Sequence, residues 1–162
     1  MLLKKAIDKI EGSKVFKDFK KENTEYYLAH AFTMIDKVQG DWQVGYCNKN
    51  DKVVVFEAGK EVEKKPEEKI FKKPDDTVNK LDLKKVELDL EKGVEIAEDL
   101  LEEKYKGEFV TKIIAILQNL ETELYNITLV TQSFNLVNVR VDAKTGKVLK
   151  HSKESILGLK KN

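Results

Sequence analysis

Few side chains of this chain are of the types that perform catalysis or bind metals. There are two histidines, His30 and His151, and one cysteine, Cys47. The histidines lie in different halves of the chain and lack the HxH or HxxxH spacing of metal sites. A lone cysteine becomes a nucleophile only beside a base, and His30, on a neighbouring predicted strand, is the candidate. We expect structural roles for all three side chains and no cofactor.

The carboxylates do not form a recognisable catalytic or metal-binding pattern. Acid–base catalysis needs two groups in different environments across a cleft, so adjacent pairs such as Glu102-Glu103 carry little meaning. The segment Asp142-Ala-Lys-Thr-Gly146 superficially suggests a calcium loop, but it lacks the ladder of acidic ligands and Lys144 would repel a cation. It is predicted to be a turn. We therefore predict a protein that is not an enzyme.

Aromatic side chains and one arginine are the residues best suited to bind a partner. Trp42, Tyr46 and Tyr27 fall on predicted strands of the first half, where an aromatic surface on an uncovered sheet face would bind another molecule. Packing in the core is the alternative, because aromatic residues are common in strands. Arg140 is the only arginine, and it is the one candidate for bidentate recognition of a carboxylate or phosphate. These four residues are the predicted partner contacts.

The overall charge excludes one class of partner. The 162 residues include 30 basic and 29 acidic side chains, which gives a net charge of +1 at pH 7. Binding to nucleic acid needs a surplus of basic charge, and this composition has none. The many lysines and glutamates with little cysteine resemble archaeal or thermophilic compositions, although a genome of low GC content produces the same bias.

The hydropathy of the chain bears on its location. Residues 1–10 lack the continuous apolar stretch and the cleavage site of a signal peptide, and no later apolar run has the length of a membrane span. Cys47 cannot form an intramolecular disulfide, which fits a reducing compartment. We expect a soluble, cytoplasmic protein, with an extracytoplasmic location left open if a secretion signal has been removed from this segment.

The pattern of apolar residues predicts helices followed by antiparallel strands in each half. In the first half the predicted elements are helical turns over residues 3–10 and 13–19, then strands over 26–38, 42–47 and 53–56. In the second half they are an extended segment over 81–88, a helix from the N-cap Asp89 to Gly107, and strands over 109–117, 124–131, 136–141 and 147–151. Between them, residues 60–77 hold both prolines among lysines and glutamates, with Ile70-Phe71 as a small apolar anchor.

A hairpin pattern occurs twice in the chain. Residues 138–149 read as a β-hairpin, and residues 53–62 are a weaker copy in which Glu57-Ala58-Gly59-Lys60 aligns with Asp142-Ala143 and Gly146-Lys147. We therefore predict an N-terminal unit over residues 1–62, a linker over 63–80 and a C-terminal unit over 81–162, related by an internal repeat.

The second half resembles the PepSY family. Residues 93–101, GVEIAEDLL, are similar to the helix of that family, Tyr105-Lys-Gly107 to its helix end, and residues 139–148, VRVDAKTGKV, to its closing hairpin. The resemblance implies a cystatin-like module with one helix across an antiparallel sheet, usually outside the cytoplasm and suspected of binding or inhibiting peptidases. It supplies no catalytic residue. The chain departs from the family by lacking a signal sequence and by its Glu121–Asn126 passage between strands.

Together these observations predict an α+β protein of two tandem cystatin/PepSY-like units, each a helix packed on an antiparallel meander. The predicted function is non-enzymatic binding of a protein or peptide through a sheet face or edge. One alternative is a small-ligand or cryptic enzymatic pocket at the helix–sheet or interdomain cleft. The other is a structural protein that associates with itself, for example as a homodimer.

Overall fold

The described part of the chain is an α+β protein with three α-helices and antiparallel strands, as the sequence predicts. The computed structural model describes residues 1–69 and 78–157. The helices are α1 (Leu3–Glu11), α2 (Lys14–Glu22) and α3 (Leu90–Lys104). The strands are β1 (Tyr27–Asp36), β2 (Val38–Gln39), β3 (Gln43–Cys47), β4 (Lys52–Ala58), β5 (Val62–Lys64), β6 (Glu68–Lys69), β7 (Val110–Asn119), β8 (Glu123–Thr131), β9 (Asn135–Asp142) and β10 (Val148–Ser155).

The residues group into two compact units, and neither is continuous in sequence. The first holds residues 1–32 and 41–81, and the second holds residues 33–40 with the chain from residue 82 onwards. The end of β1 therefore groups with the C-terminal residues. It forms a hairpin with β2, in which the Gly40 amide donates to the Met34 carbonyl at 2.8 Å and the Thr33 hydroxyl donates to the Gly40 carbonyl at 3.0 Å.

The first unit has an aromatic core beneath α1 and α2. The Ser13 hydroxyl caps α2 by accepting from the Phe16 amide at 3.2 Å, as the sequence predicts. Phe16 then packs on the strands, with its ring centroid 5.0 Å from that of Tyr46 and 5.3 Å from that of Phe56. Such tilted and edge-on contacts suit the quadrupoles of aromatic rings. The apolar face of α1 buries Ala6, Ile7 and Ile10.

The sheet of the first unit has the strand order β1-β3-β4-β5, and β6 also pairs with β4. Part of the predicted linker thus consists of sheet strands. The alternating charges of this segment suit an edge of the sheet. There the ammonium of Lys65, beside β5, forms an ion pair with the carboxylate of Glu57 on β4 at 2.8 Å. The predicted anchor Ile70-Phe71 lies outside the described residues.

The second unit is built on α3. The Asp89 carboxylate accepts from the Lys92 amide at 2.9 Å, which confirms the predicted N-cap. The helix ends at Lys104, and Gly107 has the predicted left-handed conformation with φ of +88°. Residues 81–88, predicted to be extended, instead contain a 3-10 turn over Leu83–Lys85, because the Asp82 carboxylate accepts from the Lys84 amide at 3.0 Å.

The strands β7, β8, β9 and β10 of this unit lie side by side in chain order. The turn that joins the last two is the predicted one. The Asp142 carboxylate accepts from the amides of Lys144 and Thr145 at 2.8 and 3.0 Å, and Gly146 has φ of +81°. These local bonds account for Asp142 as a turn residue.

Candidate partner-binding surface

The sheet of the second unit has one face packed against α3. Odd-numbered residues of β8 and β9 lie under the helix, where Gly93 lets α3 approach so closely that a Cβ there would lie 3.1 Å from the Tyr125 ring. The side chains of Ile127, Val139 and Val141 are fully buried on this face. Because strand side chains alternate, the even-numbered residues point to the opposite face.

That opposite face combines aliphatic and amide side chains, each partly accessible to solvent. We name it the open face; it consists of Ile114, Ile116, Asn126, Thr128, Val130, Leu136, Asn138 and Arg140. Its centre is a hydrogen-bonded ladder. The Asn138 amide donates to Asn126 at 2.7 Å and to Thr128 at 3.1 Å, and Asn126 donates to Gln118 at 3.1 Å. The ladder fixes these polar groups in place through hydrogen bonds between side chains of β7, β8 and β9.

Arg140 lies in the middle of this open face, in register with Asn126 on β8 and Lys150 on β10. Its Nε atom is shielded from solvent and has no hydrogen-bond partner within residues 1–69 and 78–157. A shielded guanidinium nitrogen without a hydrogen-bond partner carries a free-energy cost of desolvation. Arg140, one of the predicted contact residues, is therefore half-buried, with part of its side chain accessible to solvent.

Strand β10 forms the outer edge of this sheet. It stands last in the strand order, and residues 149–155 are all exposed. The Ile156 amide donates inwards to the Phe134 carbonyl at 2.8 Å. Since amide directions alternate along a strand, the amides of His151 and Lys153 point away from β9. An edge with outward amides and carbonyls is a template for another strand.

Exposed apolar side chains cluster at the end of the sheet where β10 finishes. Phe109, Phe134 and Leu157 are exposed by 69, 59 and 59%, and we name them the apolar end. Backbone hydrogen bonds join the segments that carry them, from the Gln132 amide to the Phe109 carbonyl and from the Ile156 amide to the Phe134 carbonyl. Phe134 ends the turn between β8 and β9 with φ of +60°, a strained conformation for an aromatic residue.

The carboxylate of Glu108 organises this end. It accepts from Asn135 at 2.8 Å and from Ser133 at 3.1 Å, and lies 3.7 Å from the Lys153 ammonium. Hydrogen bonds from the side chains of Thr131 and Asn135 lower the pKa of Glu108. The charged form of Glu108 therefore joins the turn between β8 and β9 to the edge strand β10.

The three aromatic residues predicted as partner contacts lie elsewhere. Trp42 and Tyr46 are only 2 and 3% exposed, so neither presents a surface in this structure. The Trp42 indole donates to the Met1 carbonyl at 2.9 Å, and the Tyr46 hydroxyl donates to Glu11 at 2.9 Å. These buried polar tips explain why large aromatic residues are accommodated in the core. Tyr27 is half-buried, and its hydroxyl donates to the Val78 carbonyl at 2.6 Å.

The structure gives the histidines and the cysteine different surroundings. Cys47 is 1% exposed, and burial raises the pKa of its thiol to about 11, which favours the unreactive protonated form. His30 is half-buried and its ring lies over Gly45. Burial lowers the pKa of the His30 imidazole. His151 Nδ1 is 2.8 Å from the Tyr105 hydroxyl on the surface of the other unit. Among the residues that the structure describes, no cluster of acidic, histidine and cysteine side chains could hold a metal ion.

The apolar end is not among the contacts predicted from the sequence, although the sequence contains a signal for it. Phe109 follows Lys-Gly-Glu directly before β7, and Phe134 follows Gln-Ser directly before β9, so a polar segment precedes each aromatic residue. Large apolar residues in such surroundings have no core partners along the chain. They are therefore candidates for contact with another molecule.

Comparisons with known proteins bear on the fold. No protein-family model and no curated protein matches this chain. It is similar to the crystal structure of a putative lipoprotein from Clostridium difficile 630, with a TM-score of 0.55 and 22% identity over 86% of this chain and 90% of that one. At this identity the likeness concerns the fold alone. No helix in the described ranges has the length and apolar character needed to cross a membrane.

Proposed function

We propose that the protein is a non-enzymatic interaction module that binds an extended segment of another protein by strand addition to β10. The observation that carries the proposal is the edge strand β10, exposed over residues 149–155, next to the open face with Arg140. A strand added to β10 gains backbone hydrogen bonds along the edge. Its alternate side chains would lie over the open face on one side.

The geometry also favours a particular bound sequence. Strands in a sheet lie about 4.8 Å apart, so an added strand would run about 10 Å from β9. A glutamate or aspartate on its open-face side could then meet Lys150 and Arg140, which share one register row. An apolar residue near one end of the segment would reach the apolar end. We therefore expect an acidic residue and an aromatic or aliphatic residue in the bound segment.

We also propose that the two units are tandem copies of a cystatin/PepSY-like module. A matching hydrogen bond supports this: the Ala58 amide donates to the Trp42 carbonyl at 2.9 Å, and the Ala143 amide donates to the Glu123 carbonyl at 3.0 Å. Both alanines are buried and follow the aligned strand positions of the two hairpins. By the family resemblance, the bound protein would be a peptidase.

The location of the protein stays a prediction. The sequence favours the cytoplasm, whereas the name of the structurally similar clostridial protein suggests attachment to a membrane outside it. Fractionation of cells of the source organism, with an antibody to this chain, would distinguish the two locations.

A proline substitution tests strand addition directly. The Lys153 amide points outwards, so Lys153→Pro removes one edge donor and leaves the bonds to β9 intact. Lys153→Ala is the matched control, because it also loses the ion pair with Glu108 but keeps the amide. Peptides would be selected on the wild-type chain from a random display library, and their affinities measured by fluorescence anisotropy.

We expect selected peptides to bind Lys153→Pro at least about tenfold more weakly than Lys153→Ala, a difference of about 1.4 kcal/mol. Arg140→Gln should weaken only the peptides that carry an acidic residue. Circular dichroism would show that each variant keeps its fold. Equal affinity for the proline and alanine variants would refute the proposal, and so would a library that yields no binding peptide.

A further inference from the structure

A groove in the second unit lies between α3 and the hairpin that ends β1. It is an open groove with a volume of about 600 Å³. The apolar lining residues Ile35, Leu90 and Val94 are buried or half-buried, whereas the carboxylates that line it are exposed. The groove thus has an apolar base and an acidic rim, and it is separate from the open face and from β10.

The rim carries an excess of negative charge. Four carboxylates line the groove, namely those of Glu91, Glu95, Glu98 and Asp99. Lys92 lies 3.6 Å from Glu95. The other three carboxylates form no ion pair with any described residue. The chain as a whole is close to neutral, so this concentration of acid is local.

Helix stability does not account for the arrangement. An acidic residue near the N-terminus of a helix is favourable, which explains Glu91 in the first turn of α3. Two pairs of acidic residues lie one helical turn apart and repel each other: Glu95 with Asp99, and Glu98 with Glu102. Burial, reinforced by Asp99 and Glu102, raises the pKa of Glu98. The acidic side of α3 therefore carries an internal repulsion that a bound cation would relieve.

We propose that this groove binds a lysine- or arginine-bearing segment of a partner protein. The long aliphatic stems of such side chains would lie on Ile35, Leu90 and Val94, while their charged ends reach the carboxylates of the rim. A bare divalent cation fits less well, since no group of described side chains has the geometry of a metal site. The occupant is thus an organic cation with an apolar stem.

The test uses the full chain and a capped peptide of three Lys-Leu-Ala-Lys repeats. Binding would be measured by titration calorimetry and located by amide chemical shifts. One control peptide replaces each lysine by diaminopropionic acid, which keeps the charge and removes the stem. The variant E98Q/D99N removes two charges from the rim. Its matched control, E87Q/E103Q, removes two exposed charges from outside the groove.

We expect the lysine peptide to change the amide chemical shifts of residues around Ile35 and Val94. We expect its affinity for E98Q/D99N to be at least about tenfold weaker than its affinity for E87Q/E103Q. The short-stem peptide should bind more weakly than the lysine peptide. Equal losses in both variants, or shifts away from the groove, would overturn the proposal. So would a concentration-dependent dimer, seen by sedimentation and lost only in E98Q/D99N, because the occupant would then be a second copy. Lys153→Pro should leave this binding unchanged, which separates this site from strand addition.

Discussion

The thiol of Cys47 illustrates how burial controls reactivity at the scale of one residue. Burial raises its pKa to about 11, and the side chain is 1% exposed. We expect the folded protein to react with a maleimide reagent at least about 100-fold more slowly than the urea-unfolded chain, because the thiolate is the reacting form. Mass spectrometry at pH 7 would follow the reaction. Equal rates in the two states would contradict the buried position.

Glu108 makes a pH-dependent contribution to stability. Hydrogen bonds from Thr131 and Asn135 lower its pKa in the folded state, so the folded protein binds the proton less readily than the unfolded chain. The stabilisation is therefore complete above the ordinary carboxyl pKa of about 4.3 and is lost as the pH falls through the lower folded value. We expect Glu108→Gln to lose less stability than wild type between neutral pH and this acidic range.

Urea unfolding at a series of pH values would measure this difference. Glu154→Gln is a suitable control, because Glu154 is exposed on β10. Parallel pH profiles for wild type and Glu108→Gln would mean that the hydrogen bonds at the apolar end do not depend on the charge of Glu108.

At the scale of elements, the pairing of β1 with β3 depends on a glycine. A Cβ at Gly45 would lie 2.1 Å from the His30 ring, closer than any real contact. We expect Gly45→Ala to lower the free energy of unfolding by about 1–3 kcal/mol through overpacking, although alanine otherwise suits a strand better than glycine. Urea denaturation would measure the change.

A double-mutant cycle isolates the cause of that loss. If the imidazole is the obstacle, Gly45→Ala should cost much less in a His30→Ala background than in wild type. Equal costs in the two backgrounds would show that the backbone at Gly45, and not the ring above it, requires glycine.

The elements themselves follow largely from local sequence. The caps Ser13 and Asp89, the turn at Asp142 and the alternation in β7 to β9 are short-range signals, and each has its predicted place. The faces of the sheets are harder to predict. Trp42 directly precedes β3 and Tyr46 lies within it, and their sequence pattern fits either a buried or an exposed face. Only packing against the N-terminal residues, Met1 for Trp42 and Glu11 and Phe16 for Tyr46, shows that both rings are buried. Arg140 could be anticipated because it is the single arginine, but its shielded Nε depends on neighbouring strands.

At the scale of the whole molecule, the discontinuous units predict how the chain tolerates cutting. A fragment that begins at residue 81, where the sequence places a domain boundary, lacks residues 33–40 of the second unit. It loses the end of β1, which groups with the second unit, and with it one wall of the acidic groove. We expect this fragment to bind a hydrophobic dye strongly and to unfold at lower urea concentration than the second unit of the intact chain.

Hydrogen exchange would give the stability of β7 in the intact chain for comparison. Addition of a synthetic peptide that covers residues 33–40 should recover part of the protection in the fragment. If the fragment alone unfolds at the same urea concentration as the intact chain, the hairpin at the end of β1 contributes nothing to the second unit.

The division of β1 between the units also sets an order of events during synthesis. Residues 33–40 leave the ribosome well before α3 and the strands from β7 to β10, so this part of the second unit must wait for the rest. The first unit can close once residue 81 has emerged, and it then holds β1 extended through the pairing with β3. The second unit therefore completes its fold only after the C-terminal residues have emerged.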